Sequence, residues 1–182
     1  MKYRHFYNYL IQDADAMDVN IYSFYDLFKN YITNPRWRFI CKMRRAEIYS
    51  NKTNLISKLV YSYYWFSYKK MGLKLGYTIP LNVCAAGLSL PHYGTIVISK
   101  KARIGRNARI HVCVNIGESK NGAPIIGDNV YIGPGVKLFG PIKIGNNVQI
   151  GANAVVNKTF NEDNIVLAGI PAKVVKRITF DD

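Results

Sequence analysis

His92 and His111 are the side chains in this chain best suited to moving protons, and both lie in one run, "LSLPHYGTIVISKKARIGRNARIHVCVNIG", from Leu88 to Gly117. An imidazole titrates near neutrality, so it can take a proton from a hydroxyl, give one back, or ligate a metal. The third histidine, His5, is far away in sequence and reads as an ordinary polar side chain. A histidine metal centre needs three such groups together, and this run supplies only two, so no metal is expected. A lone histidine is as readily a packing side chain as a functional one, and the elements around the pair must decide which applies.

Those elements are repetitive. Isoleucine, leucine or valine recurs every six residues at Ile98, Ile104, Ile110 and Ile116, then after four extra residues at Ile126, Ile132, Leu138, Ile144, Ile150 and Val156. A second small or β-branched series follows four residues behind: Ala102, Ala108, Val114, Val130, Val136, Ile142, Val148 and Ala154. A period of six fits neither a helix nor an alternating strand, but it suits short strands joined by tight turns in which Gly and Asn take positive φ cheaply. Three hexads close a triangular coil of about 18 residues, and stacked coils make a parallel β-helix with the apolar residue pointing inward. Fewer than four coils are expected.

Before Tyr77 the composition changes to aromatic and basic residues, and the segments "YSFYDLFKNYI", "PRWRFICKMRRAEIYS" and "NLISKLVYSYYWFSYKKM" read as helices. Pro35 after Asn34 suits a helix start. The third segment spreads its aromatic residues widely, so it needs a partner: the β-helix, a neighbouring subunit, or a membrane surface. The chain therefore divides into a helical region at 1–76, a β-helix at 77–170 and a tail at 171–182.

At 182 residues the chain has room for one sizeable core. The three cysteines are too scattered for a disulfide framework or a metal cage, which fits a reducing compartment. With neither a secretory signal nor a membrane-spanning stretch, a cytoplasmic setting is expected, with peripheral contact at the inner membrane face open to the basic aromatic N-terminal region. The net charge of +14 would suit nucleic acid, an anionic membrane or a phosphorylated ligand. No nucleic-acid module accompanies it, so nucleic acid is not expected.

Counting back by sixes from Ile98 puts His92 at an inward position, where an imidazole among apolar side chains is costly. Leu90 fills that slot instead if the chain bulges by two residues, and His92 then projects from a corner. His111 lies about one coil further on, close to the same corner.

The stretch "IGDNVYIGPGVKLFGPIKIGNNVQIGANAVV" resembles the hexapeptide-repeat acyltransferases, and "LPHYGTIVISKKARIGRNARIHVCVNIG" with "VLAGIPAKVVKRI" is similar to their serine acetyltransferase branch. The resemblance implies a mostly β fold, a left-handed parallel β-helix behind an N-terminal α-helical region. It also implies a homotrimer, acetyl-CoA as co-substrate, and His92 as general base for a hydroxyl attacking the thioester. A backbone N–H would serve the tetrahedral oxyanion. The pantetheine groove falls on Gly133, Gly135, Gly151 and Ala152, and Lys173 meets the CoA phosphates.

Four positions depart from that branch. Asn34 and Pro91 stand where it has aspartates, Ala123 where it has a second histidine, and a non-acid near Tyr77 where an aspartate orients the base. A zwitterionic amino acid needs such charges, so the expected acceptor is a neutral sugar hydroxyl in capsule, O-antigen or exopolysaccharide assembly, contacted by Asn34, His111 and Asn115. The alternatives are a serine O-acetyltransferase and a non-catalytic trimeric scaffold or binding protein. The "ESKNGAP" insertion after Gly117 is read as a loop placed to touch ligand.

Overall fold

The computed structural model describes residues 3–179, with no side chains described before Phe6. The end of the expected tail, 180–182, lies outside the described residues. Four helices come first: α1 (Tyr3–Ala16), α2 (Phe24–Thr33), α3 (Pro35–Tyr49) and α4 (Leu55–Leu75). The last three are the helices expected from sequence, each opened by a side-chain cap: Ser23 Oγ, Asn34 Oδ1 and Asn54 Oδ1 accept from the backbone N–H three residues on. Gly76 closes α4 with φ 81°, the left-handed turn that stops a helix at low cost.

The remainder is a left-handed β-helix with three parallel faces. One face holds β1 (Tyr77–Thr78), β2 (Ile96–Ile98), β5 (Val114–Gly117), β8 (Lys137–Phe139) and β11 (Val155–Val156). The second stacks β4 (Arg109–Ile110), β7 (Tyr131–Ile132), β10 (Gln149–Ile150) and β12 (Ile165–Ala168), with β13 (Lys173–Arg177) antiparallel on the last of them. The third holds β3 (Arg103–Ile104), β6 (Ile125–Ile126) and β9 (Lys143–Ile144). Val97 pairs with Asn115 and Lys137 with Val155, one 18-residue coil apart in each case, and both apolar series of the repeat are buried.

There are about five coils, not fewer than four. The first coil escapes the hexad count because its pairing is made by backbone groups outside the repeat, at β1 and at the bridges of Cys84 with Ile104 and Ser89 with Arg109. The last coil is completed likewise by Phe160 beside Ile144 and by β12. Strand pairing needs N–H and C=O groups rather than a particular side chain, so a coil can form where the repeat has faded.

An asparagine ladder runs along one corner. Asn107, Asn129, Asn147 and Asn164 all have φ between 54° and 58°, and the side-chain amide of each of the first three donates to the oxygen of the next at 2.8–2.9 Å. Asn147→Ala is expected to cost about 1–2 kcal/mol, because it loses both the ladder bonds and the tolerance for left-handed backbone. Asn147→Gly should recover the backbone part, and thermal unfolding of the two variants measures the split.

The helices close the open end of the solenoid, and one continuous hydrophobic core joins the two parts. Phe39 of α3 meets Tyr77 edge to face at 5.2 Å between centroids. Arg44, fully buried, donates to Asp13 (Nε to Oδ2, 2.8 Å), to Glu47 (3.0 Å) and to the carbonyls of Cys84 (2.8 Å) and Ala85 (2.6 Å). Burial works against its charge, yet the Asp13 and Glu47 carboxylates outweigh it and hold the guanidinium above its ordinary range. Asp13 is on α1, a helix absent from the sequence expectations, and its Oδ1 also accepts from Leu88 N at 2.8 Å. One ion cluster thus pins α1 and α3 to the first coil.

Candidate active site

The chain bulges before β2, the condition on which Leu90 rather than His92 turns inward. Leu88 and Leu90 are buried, His92 and Tyr93 are exposed, and Ile96 returns to the core. Two side chains hold the bulge by its carbonyls. Tyr77 Oη donates to His92 O at 2.6 Å, and Arg36 Nη1 donates to Pro91 O and, at 3.4 Å, to Leu90 O. Burial pushes the Tyr77 hydroxyl up to about 12, so it remains a neutral donor near pH 7. Tyr77, near the position where the resemblance places an orienting aspartate, therefore holds His92 by its backbone carbonyl and not by its ring.

His111 follows β4 and lies beside His92, with ring centroids 5.7 Å apart, while Tyr131 of the next coil sits 4.9 Å on its other side. Burial first, then the Arg109 charge and the neighbouring His92 ring, hold His111 below the usual histidine range, so it stays neutral near pH 7. Its Nε2 is buried and has no hydrogen-bond partner among the described residues. An unpaired buried nitrogen next to an exposed imidazole is the least satisfied polar group of this corner.

A cleft of about 230 Å³ opens at His92, lined also by Asp18, Arg36, Ser89 and Arg109. It shares Ser89 and Arg109 with a second groove of about 380 Å³ that reaches Asp15 and Asn107. Arg36, Arg109 and Asp18 were not among the sequence candidates. They come from three separate elements and carry no spacing signal.

The other expected site residues fall in two groups. Gly133, Gly151 and Ala152 come together: a Cβ on Gly133 would lie 2.7 Å from Ile150 O and 3.0 Å from Ala152 N. Gly133 continues the stacking column of His111, whose N–H donates to Ile132 O, and the column runs through Gly151 to Ala168, the strand partner of Lys173. Gly135, at φ 77°, packs on Asn153. Glycine at 133 and 135 is demanded by coil stacking itself, so smallness there is a property of the scaffold as well as room for a ligand. Asn34 is outside the cleft lining, and its Oδ1 caps α3 at 3.2 Å from Trp37 N. Asn115 is exposed on the outer face of β5.

The insertion loop is tied to the corner after β2: Glu118 accepts from Ser99 Oγ at 2.8 Å and lies 3.6 Å from Lys101. No described helix is long and apolar enough to cross a membrane.

Residues 123–158 match the family model described as Bacterial transferase hexapeptide (six repeats). A serine acetyltransferase of Mycobacterium tuberculosis is 38% identical over 100 residues, covering 53% of this chain and 43% of that protein. Among solved structures, serine acetyltransferase of Neisseria gonorrhoeae in complex with serine matches with a TM-score of 0.71 at 25% identity, over 96% of this chain and 70% of the other. That of Brucella abortus in complex with coenzyme A gives 0.73 at 21% identity, over 97% and 70%. The chain spans less than half the length of the curated M. tuberculosis relative. The repeat and the likeness to these structures establish the hexapeptide-repeat β-helix.

Proposed function

We propose that this chain is an acetyl-CoA-dependent O-acetyltransferase with His92 as general base. One observation carries the reading: an exposed imidazole, held by its backbone at the rim of a cleft, stands beside the unpaired Nε2 of His111 at the head of the small-residue column. Acetyl-CoA would supply the activated acetyl group. Gly133, Gly151 and Ala152 leave room for a narrow arm along the column, and Lys173 at its far end is exposed and suited to phosphate. His92 takes the proton of the acceptor hydroxyl as its oxygen attacks, and returns it to the leaving thiolate. Neutral His111 adds a hydrogen bond to the acceptor.

The names of the relatives support serine as acceptor. Asp18 and Arg109, opposite charges in the same cleft as His92, also suit a zwitterion. A sugar hydroxyl of a surface glycan is the second reading, favoured by Asn34, Pro91, Ala123 and a non-acid near Tyr77 where the resemblance expects charged residues or histidine. The donor suits a cytoplasmic reaction. Exposed Ile125, Tyr131 and Phe139 on the flat faces support assembly into a homotrimer.

CoA release measured with serine, free sugars and nucleotide sugars separates the readings. Serine turning over fastest supports the first, and a sugar faster by about tenfold, a difference of about 1.4 kcal/mol in barrier, supports the second. Absence of acceptor-dependent release with the whole panel overturns both and leaves the scaffold reading.

A further inference from the structure

Two grooves in the helical region take no part in the chemistry above, and they meet at Tyr31. The first, about 460 Å³, is lined mainly by apolar side chains such as Leu10, Phe24 and Phe28, together with Trp37. Trp37 is fully buried, yet its indole Nε1 has no hydrogen-bond partner among the described residues. The second, about 490 Å³ between α3 and α4, is lined by Arg38, Lys42, Lys70 and Lys74, with no carboxylate among the described residues that line it. Arg38 Nε is another buried donor without a partner.

Cations crowded without a counter-ion are unusual, because like charges at close range repel and desolvation adds to the cost. Burial first, then Arg38, Arg45 and Lys70, hold Lys42 below the ordinary lysine range. The chain offers no local remedy: between Glu47 and Glu118 it contains no Asp or Glu. The same helix α4 exposes an apolar stripe at helical spacing, with Ile56, Leu59, Tyr63, Phe66 and Leu73 all at least 64% exposed. An apolar stripe flanked by lysines is the composition of a helix that lies in a membrane interface.

We propose that the helical region docks on an anionic phospholipid surface, its basic groove taking phosphate headgroups while the α4 stripe and the apolar groove enter the acyl boundary. Charge complementarity selects this occupant. A two-fold contact between copies through this groove would set Arg38, Lys42, Lys70 and Lys74 against their own counterparts, with no carboxylate among the described lining residues to separate them. The docking is independent of acetyl transfer, so the two readings fail separately.

The test is sedimentation of the full chain with vesicles of phosphatidylcholine alone and with about one quarter phosphatidylglycerol. Wild type is expected to partition at least about tenfold better onto the anionic vesicles, and the triple variant Lys42→Gln, Lys70→Gln, Lys74→Gln to lose about a hundredfold, with acceptor-dependent CoA release retained. The exposed pair Leu59→Gln, Phe66→Gln, which removes no cation and neither residue of which belongs to the buried core, should weaken the same binding. Equal partition onto both vesicles, absent wild-type binding, or a triple variant that binds like wild type overturns the proposal. So does a change of oligomeric mass by light scattering in Phe24→Ser, Phe28→Ser with vesicle binding intact, which would make this face a contact between copies.

Discussion

His92→Ala is expected to lower acceptor-dependent CoA release by about 10²–10⁴-fold, the usual range for a lost general base. The imidazole is exposed and the bulge is held by carbonyls, so the substitution removes the ring while the Tyr77 and Arg36 bonds to the backbone remain. Folding and acetyl-CoA binding should therefore survive, and the loss should fall on kcat with little change in KM for the donor. His111→Ala should behave differently, because a neutral imidazole bonded to the acceptor acts on binding as well as on the barrier. Full turnover in His92→Ala would remove it as the base. A variant that loses donor binding together with turnover would instead make His92 part of the binding surface.

Arg44→Met is expected to destabilise the fold by about 3–5 kcal/mol, since it leaves two buried carboxylates without their cation. Asp13 is fully buried and Glu47 is nearly so, and among the described residues each has one further bond, to Leu88 N and Asn82 N respectively. The carbonyls of Cys84 and Ala85 at the solenoid's first coil would lose their donor as well. Combining Arg44→Met with Asp13→Asn and Glu47→Gln should return much of the loss, because neutral amides are far cheaper to bury than unpaired charges. Urea unfolding midpoints of the single and triple variants measure both effects. A single-variant loss of under about 1 kcal/mol, the scale of an exposed pair, would contradict the role given to this cluster.

The cluster also shows where sequence reading stopped. Asp13 lies in "YRHFYNYLIQDADA", where Phe6, Leu10 and Ala14 recur at helical spacing, but what anchors α1 to the rest of the molecule is a buried charge whose partner is 31 residues away, and no local spacing announces that pairing. The first and last coils were likewise missed, since their strands pair through the backbone. In the middle of the chain the opposite held: each hexad carries its own inward residue, and most carry an Asn or Gly at the turn, the corners at 99–101 and at Cys113 (φ 61°) excepted, so local spacing determined the structure.

By itself the sequence determined the repeat, hence the β-helix, and it left two registers before Ile98, of which the cost of burying an imidazole favours the one with Leu90 inward and His92 outward. Those facts are local: they follow from side-chain polarity and turn chemistry within one or two coils. Tertiary structure alone decided what stands around His92. Arg36 reaches it from α3, Tyr77 from the start of the solenoid, Asp18 from beyond α1, and His111 and Arg109 from the next coil. Side chains so far apart in the chain share no period, and only the stacking of coils and the docking of helices on their open end bring them within a few ångströms of one another.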